Sequence, residues 1–413
     1  MPHTAGSDPE WRRVATTFDI DLFDVVQTAD GPYAVGASGT LAAKRGAGWE
    51  VIVEAGPAAS NGTLNSIAVT DDGMRVWFVG ASGTIGAYDV KTQQKHNYSY
   101  SGDVTTTWKA VAVSGMARSE EVLFANGSGT ILPGRMDDTD IAWEKSTKLG
   151  GGSTISTLAF ASENAVYAAN TSGDVFKRVM ENKWENIGIA DASAKFYDIH
   201  AEPGGHIYVA AGDGRLYRYD PSAQQWTPIG LGQTTLRAVD RFRDHIYVLA
   251  DSNIVHWRAL ESESRWQKTE LPTGNDLVSL VVGYPDIAVG KGGVIVMRPP
   301  SQPPKSEEPR HGQDDPPRES ILECEDLLLE LLSRLERDEL LELIERRDKC
   351  GGDFITQIRE IEKEEQTPVI VLPTAHESRG HERVGHGCSD CCTGQTRTRN
   401  VDVEAILDRI CTY

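Results

Sequence analysis

Cysteine is missing from the first 323 residues of this 413-residue chain; all six cysteines lie at positions 324, 350, 388, 391, 392 and 411. The larger N-terminal part must therefore hold together without disulfides, and cysteine chemistry belongs to the C-terminal third. Long apolar runs are missing too. Nothing approaches the roughly 18 consecutive apolar residues of a membrane-spanning helix. The opening Met1-Pro-His-Thr-Ala-Gly-Ser-Asp-Pro-Glu10 has no basic stretch followed by an apolar one, so no secretory signal is expected. That places the protein in the cytoplasm, or on a particle released without a signal, such as a virion. Positive charge is scarce: the formal net charge is −20, the pI is near 4.9, and 14 lysines stand beside 27 arginines. A phosphate-binding surface needs clustered Lys and Arg, so no nucleic-acid partner is expected. No phosphate loop, nucleophile elbow or dinucleotide fingerprint occurs; Gly150-Gly-Gly152 lacks a following Lys-Ser/Thr.

What the chain has is a repeated phrase. Ala34-Val-Gly-Ala-Ser-Gly-Thr40 returns nearly verbatim as Phe78-Val-Gly-Ala-Ser-Gly-Thr84. It then decays through Phe124–Thr130, Tyr167–Gly173, Tyr208–Gly214, Tyr247–Asn253 and Ile287–Gly293. The last turn residues are Gly39, Gly83, Gly129, Gly173, Gly214, Asn253 and Gly293, spaced 44, 46, 44, 41, 39 and 40 apart. A period of roughly 40–50 residues with four strand-sized pieces per unit predicts a β-propeller. Each unit opens with a strand of alternating apolar residues, such as Leu22–Gln27 or Leu64–Thr70, and a turn follows it. The second strand ends in the phrase, whose glycine suits a turn requiring positive φ. Asn253 fits the same place, because asparagine tolerates that conformation best among the residues with a Cβ.

A tryptophan marks the fourth strand: Trp49, Trp143, Trp184, Trp226 and Trp266, with Tyr98 or Tyr100 taking its place in the second unit. The seventh unit stops at Arg298, directly before Pro299-Pro300, with no room for a fourth strand. Trp11-Arg-Arg-Val14 supplies the missing phrase near the N-terminus. This predicts seven blades in residues 1–298, the last closed by the N-terminal strand, which removes an exposed sheet edge.

These units resemble the β-propellers of the YCF48-like photosystem-assembly and sialidase-type Asp-box class, over about residues 11–298. There a strand ending in Val-Gly-x-x-Gly precedes a second strand, a tight turn and Trp. The Asp-box, Ser-x-Asp-x-Gly-x-x-Trp, is replaced here by Ala43-Lys-Arg-Gly-Ala-Gly-Trp49, without its Ser and Asp. The resemblance implies the fold and an intracellular scaffold or assembly role; it does not carry a sialidase activity.

Beyond the repeats, 299–320 is a Pro-rich linker with seven prolines. Residues 321–365 read as a helical association segment: Ile321, Cys324, Leu328, Leu331 and Leu335 fall on a 3-4-3-4 spacing. Self-association and an intrachain helical hairpin both bury that stripe. The tail, 366–413, carries His376, His381, His386, Cys388, Cys391, Cys392 and Cys411. Zinc takes four thiolate or imidazole ligands, and a Cys-x-x-Cys turn presents two of them. Cys388, Cys391, Cys392 and Cys411 with His381 and His386 are the candidate structural-zinc ligands; disulfides and free thiols are the alternatives. No catalytic residue or other cofactor is expected. In the repeats, Asp24, Asp198, His200 and Asp240 fall on innermost strands and are expected to face the central channel, either solvating it or binding a ligand.

The acidic, lysine-poor balance resembles that of extreme halophiles, whose proteins stay hydrated in molar salt. Head, neck and foot follow in the order of virus surface proteins. The expected function is thus a non-enzymatic structural and binding protein, with a propeller head displayed on an assembly: a virion-surface decoration or host-adsorption spike of a haloarchaeal virus. Residues 321–413 would contact other copies and capsid or tail proteins, and the propeller a host-surface glycan or protein. An intracellular scaffold is the alternative, and a propeller carbohydrate-active enzyme ranks below both.

Overall fold

The computed structural model describes residues 10–299, except 47, 100–105, 163–164, 190–193 and 261–264. Residues 300–413 lie outside this set, and with them most of the linker, the helical segment and the Cys/His tail. The described residues form seven antiparallel sheets, one for each phrase. The chain is a mainly β, seven-bladed propeller. Each blade runs outward from an innermost strand: Leu22–Thr28, Leu64–Val69, Trp108–Ser114, Ile155–Ser162, Phe196–His200, Leu236–Phe242 and Leu277–Val281. Blade three adds a short fifth strand, Thr147–Lys148, paired with Thr130–Asp137.

The ring closes as the sequence predicts. Arg12–Val14 pairs antiparallel with Ile295–Arg298, with Arg12 opposite Met297 and Val14 opposite Ile295. Trp11 is 8% exposed and packs under the Arg298 guanidinium, 5.2 Å from its ring centroid. In blade two Tyr98 fills the tryptophan's place and lies 5.0 Å from the Trp77 ring.

The core is a set of wedges between blades. Each of seven apolar clusters draws on two neighbouring blades; Leu22, Ala34 and Trp49 of blade one, for example, meet Ile287, Val289 and Ile295 of blade seven. The first residue of every innermost strand is 0–2% exposed: Leu22, Leu64, Trp108, Ile155, Phe196, Leu236 and Leu277. Each such burial contributes about 1.5–3 kcal/mol.

The phrase itself is a turn packed against the crossover to the next blade. Gly39 has φ +72°, its carbonyl accepts the Gly56 N–H at 2.8 Å, and a Cβ there would sit 2.3 Å from the Gly56 nitrogen. In blades three and four, where asparagine stands in place of the phrase's first glycine, its side chain ties the turn. The Asn170 Oδ1 accepts the Ser172 and Asp174 N–H groups, both at 2.9 Å.

One reading needs correcting. The innermost strands do not alternate strictly. In blade one burial falls on Leu22, Val25 and Thr28, and in blade two on Leu64 and Ile67. The cause is a β-bulge, which adds one residue to the strand and shifts the faces after it.

Candidate functional site: the channel and its bulged mouth

All seven innermost strands carry that bulge at the same place. The pairing register slips between the first and third residues: Leu22/Asp24, Leu64/Ser66, Trp108/Ala110, Ile155/Thr157, Phe196/Asp198, Leu236/Ala238 and Leu277/Ser279. The strands enclose a cavity of about 470 Å³ around the propeller axis. The bulged second residues stand where the strands begin, at the end of the channel that also bears the phrase turns. The third residues lie one step deeper.

Five of these third residues, Asp24, Ser66, Thr157, Asp198 and Ser279, make hydrogen bonds between blades. Asp24 Oδ2 accepts the Ile67 N–H and the Ser66 hydroxyl of blade two, both at 3.0 Å. Its Oδ1 accepts the Val25 N–H at 3.0 Å and the Ser279 hydroxyl of blade seven at 2.9 Å. Asp198 repeats the pattern, with Oδ2 accepting the Val239 N–H of blade six at 2.9 Å. Its Oδ1 accepts the Ile199 N–H at 2.8 Å and the Thr157 hydroxyl of blade four at 3.3 Å. Two residues further along blade six, Asp240 Oδ2 accepts the Val282 N–H of blade seven at 2.8 Å. Its Oδ1 accepts the Arg241 N–H at 2.8 Å and lies 3.2 Å from His200 Nδ1.

The sequence brings Asp24, Asp198, His200 and Asp240 correctly to one channel, but their main work is neither of the two expected: they bind blade to blade. Burial pushes Asp198 up to about 7, and the Asp24 and Asp240 carboxylates add to the rise against the hydrogen bonds it accepts. Burial raises Asp24 as well, against its four hydrogen bonds. A carboxyl group that titrates near neutrality is often a general acid or base. Here both oxygens of each aspartate accept protein donors, so each carboxylate is held between blades.

The bulged residues differ from their neighbours in the repeat. The first and fourth positions are apolar and buried in all seven blades. The second position reads Phe23, Asn65, Lys109, Ser156, Tyr197, Arg237 and Val278. Two of these serve the ring: Asn65 Nδ2 donates to the Trp108 carbonyl at 2.7 Å, and the Ser156 hydroxyl to the Phe196 carbonyl at 2.7 Å. The other five line the channel at this mouth. Phe23 and Val278 give an apolar arc across blades one and seven, and Lys109 is exposed on blade three. The Arg237 guanidinium lies 4.7 Å from the Tyr197 ring centroid, oriented by Asp251 at 2.7 and 3.1 Å. Sequence reasoning missed this mouth, although the apolar spacing of three in Leu22–Val25 and Leu64–Ile67 signals the bulge.

The sequence-predicted zinc ligands, Cys388, Cys391, Cys392, Cys411, His381 and His386, lie outside the described residues. Among the described residues no group of three or more His, Cys, Asp or Glu side chains is placed to hold a metal ion. No described helix is long and apolar enough to cross a membrane.

Fold and channel together define a seven-bladed β-propeller with an open, chemically varied mouth. No known family profile and no curated protein matches the sequence. Solved structures do match in shape. YCF48 from Cyanidioschyzon merolae aligns with a TM-score of 0.56 at 14% identity, over 70% of this chain and 98% of that one. A streptogramin B lyase aligns at 0.60 and 12%, over 72% and 99%. The WD40 repeats of RRP9 align at 0.57 and 14%, over 71% and 98%. At such identities the likeness establishes the fold alone.

Proposed function

We propose that the propeller is a non-catalytic binding head that takes an extended segment of a partner protein at the bulged mouth of its channel. The observation that carries this is the contrast within the repeat. Seven identical bulges place side chains at one mouth, and these range over apolar, aromatic, amide, hydroxyl and cationic types, whereas the first and fourth positions stay apolar and buried. Bulges re-aim side chains beside functional sites, and a rigid ring of this kind orders no loop on binding. Tyr197 and Arg237 are residue types that anchor interfaces. The channel carboxylates favour binding over catalysis because their oxygens already hold the ring together. Among the similar folds, one YCF48 structure has a bound peptide, which is in keeping with this reading, whereas the lyase is an enzyme.

The finer reading places this head on an assembly, anchored or oligomerised through 321–413, as the surface decoration or host-adsorption spike of a haloarchaeal virus. Its support is the acidic, lysine-poor composition and the head–neck–foot order of the sequence. An intracellular scaffold would use the same mouth. The test is the pair Tyr197→Ala and Lys109→Glu in the full chain, purified from the source that makes it. Each should lower partner co-purification at least tenfold with the melting temperature unchanged. Undiminished co-purification in both would overturn the proposal.

A further inference from the structure

The chain contains four Asn-x-Ser/Thr triplets: Asn61-Gly-Thr63, Asn97-Tyr-Ser99, Asn126-Gly-Ser128 and Asn170-Thr-Ser172. The fold separates them into two kinds. Asn126 and Asn170 are 1% and 0% exposed, each three residues before the last turn glycine of its phrase. Their side chains cap the turn: Asn126 Oδ1 accepts the Ser128 and Thr130 N–H groups, both at 2.9 Å, and its Nδ2 donates to the Thr106 hydroxyl at 2.7 Å. Asn170 Nδ2 donates to Asp174 at 2.8 Å. In these two the triplet follows from turn chemistry, in which asparagine caps and serine continues. A group attached to either nitrogen would have to displace the turn.

Asn61 and Asn97 are exposed, and among the described residues neither Nδ2 has a hydrogen-bond partner. Asn61 lies in the connection from blade one's outer strand, Gly48–Val53, to blade two's innermost strand, and Asn97 ends blade two's outer strand, Gln94–Asn97. Both flank one feature, the phrase turn of blade two. The Thr63 carbonyl accepts the Ala81 N–H at 2.8 Å, and the Ile85 carbonyl accepts the Tyr98 N–H at 3.0 Å. At Asn97 the Ser99 N–H donates to Oδ1 at 3.1 Å, closing an Asx turn that leaves Nδ2 outward. The Ser99 hydroxyl is exposed and makes only long bonds to the Ile85 backbone, at 3.3 and 3.4 Å.

We infer that Asn61 and Asn97 are N-glycan acceptors and that Asn126 and Asn170 are not. The donor is an oligosaccharide linked through C1 to a polyprenyl phosphate. The Asn Nδ2 attacks that C1, a C–N bond forms, and the C1–O bond breaks. The lipid phosphate leaves with the electron pair, and the Nδ2 proton passes to the transferring enzyme's base. Two glycans here would stand on blade two at the same end of the molecule as the bulged mouth. They would cover that side and leave the rest of the rim to a partner. Modification also requires a chain that meets the lipid-linked donor.

The experiment is peptide mass spectrometry on the full chain purified from the cells or particles that naturally produce it. Trypsin separates the four sites into the peptides 46–75, 96–109, 119–135 and 149–177. Sugar-residue increments are expected on the first two, at Asn61, Asn97 or both. They should be lost in Asn61→Gln and Asn97→Gln with no change in melting temperature. Unmodified asparagine at both exposed sites, or carbohydrate on Asn126 or Asn170, would overturn the inference.

Discussion

Asp24 of blade one and the Ile67 N–H of blade two meet at 3.0 Å, 43 positions apart in the chain. Asp198 and the Val239 N–H make the same bond 41 positions apart, and the Ser66 hydroxyl accepts the Val111 N–H 45 apart. The sequence period is thus also the step of the hydrogen bonds that join neighbouring blades around the channel. In blades one, two, four, five and seven the side chain that hydrogen-bonds to a neighbouring blade sits directly after the bulged residue.

Removing a clasp should weaken the whole ring. Asp24→Ala takes four accepted hydrogen bonds from three blades and leaves the Ile67 N–H without its carboxylate. A loss of about 1–3 kcal/mol is expected, read as a lower denaturation midpoint at unchanged slope. An unchanged midpoint would mean that channel water replaces the carboxylate at no cost.

Stability should depend on pH through Asp198. Its folded value of about 7 lies above the ordinary 3.8. The unfolded chain therefore releases this proton first as pH rises, while the folded state still holds it. The contribution is fully present below 3.8 and is lost as pH climbs through about 7. Asp198→Asn should flatten the fall in melting temperature across that window. The readout is the slope, because Asn retains one acceptor oxygen and changes the absolute value in its own right. An identical slope in both proteins would contradict the assignment.

The N-terminal latch should matter more than its three residues suggest. Trp11→Ala removes a buried indole from the wedge between blades six and seven and should cost about 3–5 kcal/mol. Deleting residues 1–14 exposes the Ile295–Arg298 edge, and concentration-dependent aggregation is the expected result. Light scattering that shows a soluble, fully stable deletion variant would mean that the latch is dispensable.

The expectation of structural zinc in the tail is tested by metal content. The reduced full chain should carry about one equivalent of zinc, and Cys388→Ser with Cys391→Ser should abolish it without moving the propeller's melting transition. A reduced protein free of bound metal would leave the disulfide and free-thiol readings.

Blade count and closure were legible because they depend on patterns the sequence carries openly: a glycine turn at a fixed period, a tryptophan after most copies, and Trp11 standing where no eighth unit exists. The channel was half legible. Asp24, Asp198 and Asp240 could be assigned to innermost strands, yet their partners are backbone N–H groups about one period away, which leave no mark on residue type. The bulge was hidden because Leu22, Val25 and Thr28 sit on a spacing of three that passes easily for irregular alternation. Buried ion pairs were invisible for a similar reason. Arg75, 2% exposed, reaches Asp89 at 2.6 Å and Glu120 of blade three at 3.3 Å, although such residues read as surface in a chain this acidic.

The most direct test of the mouth as the binding site is site-specific photocrosslinking in the cells or particles that naturally produce the protein. A photoreactive phenylalanine analogue replaces Tyr197 in one protein and Met180, an exposed residue on an outer part of blade four, in another. A single discrete protein adduct is expected from position 197, none from 180, and Lys109→Glu should abolish it. Adducts from 180 alone, or equally from both positions, would place the partner elsewhere and contradict the account.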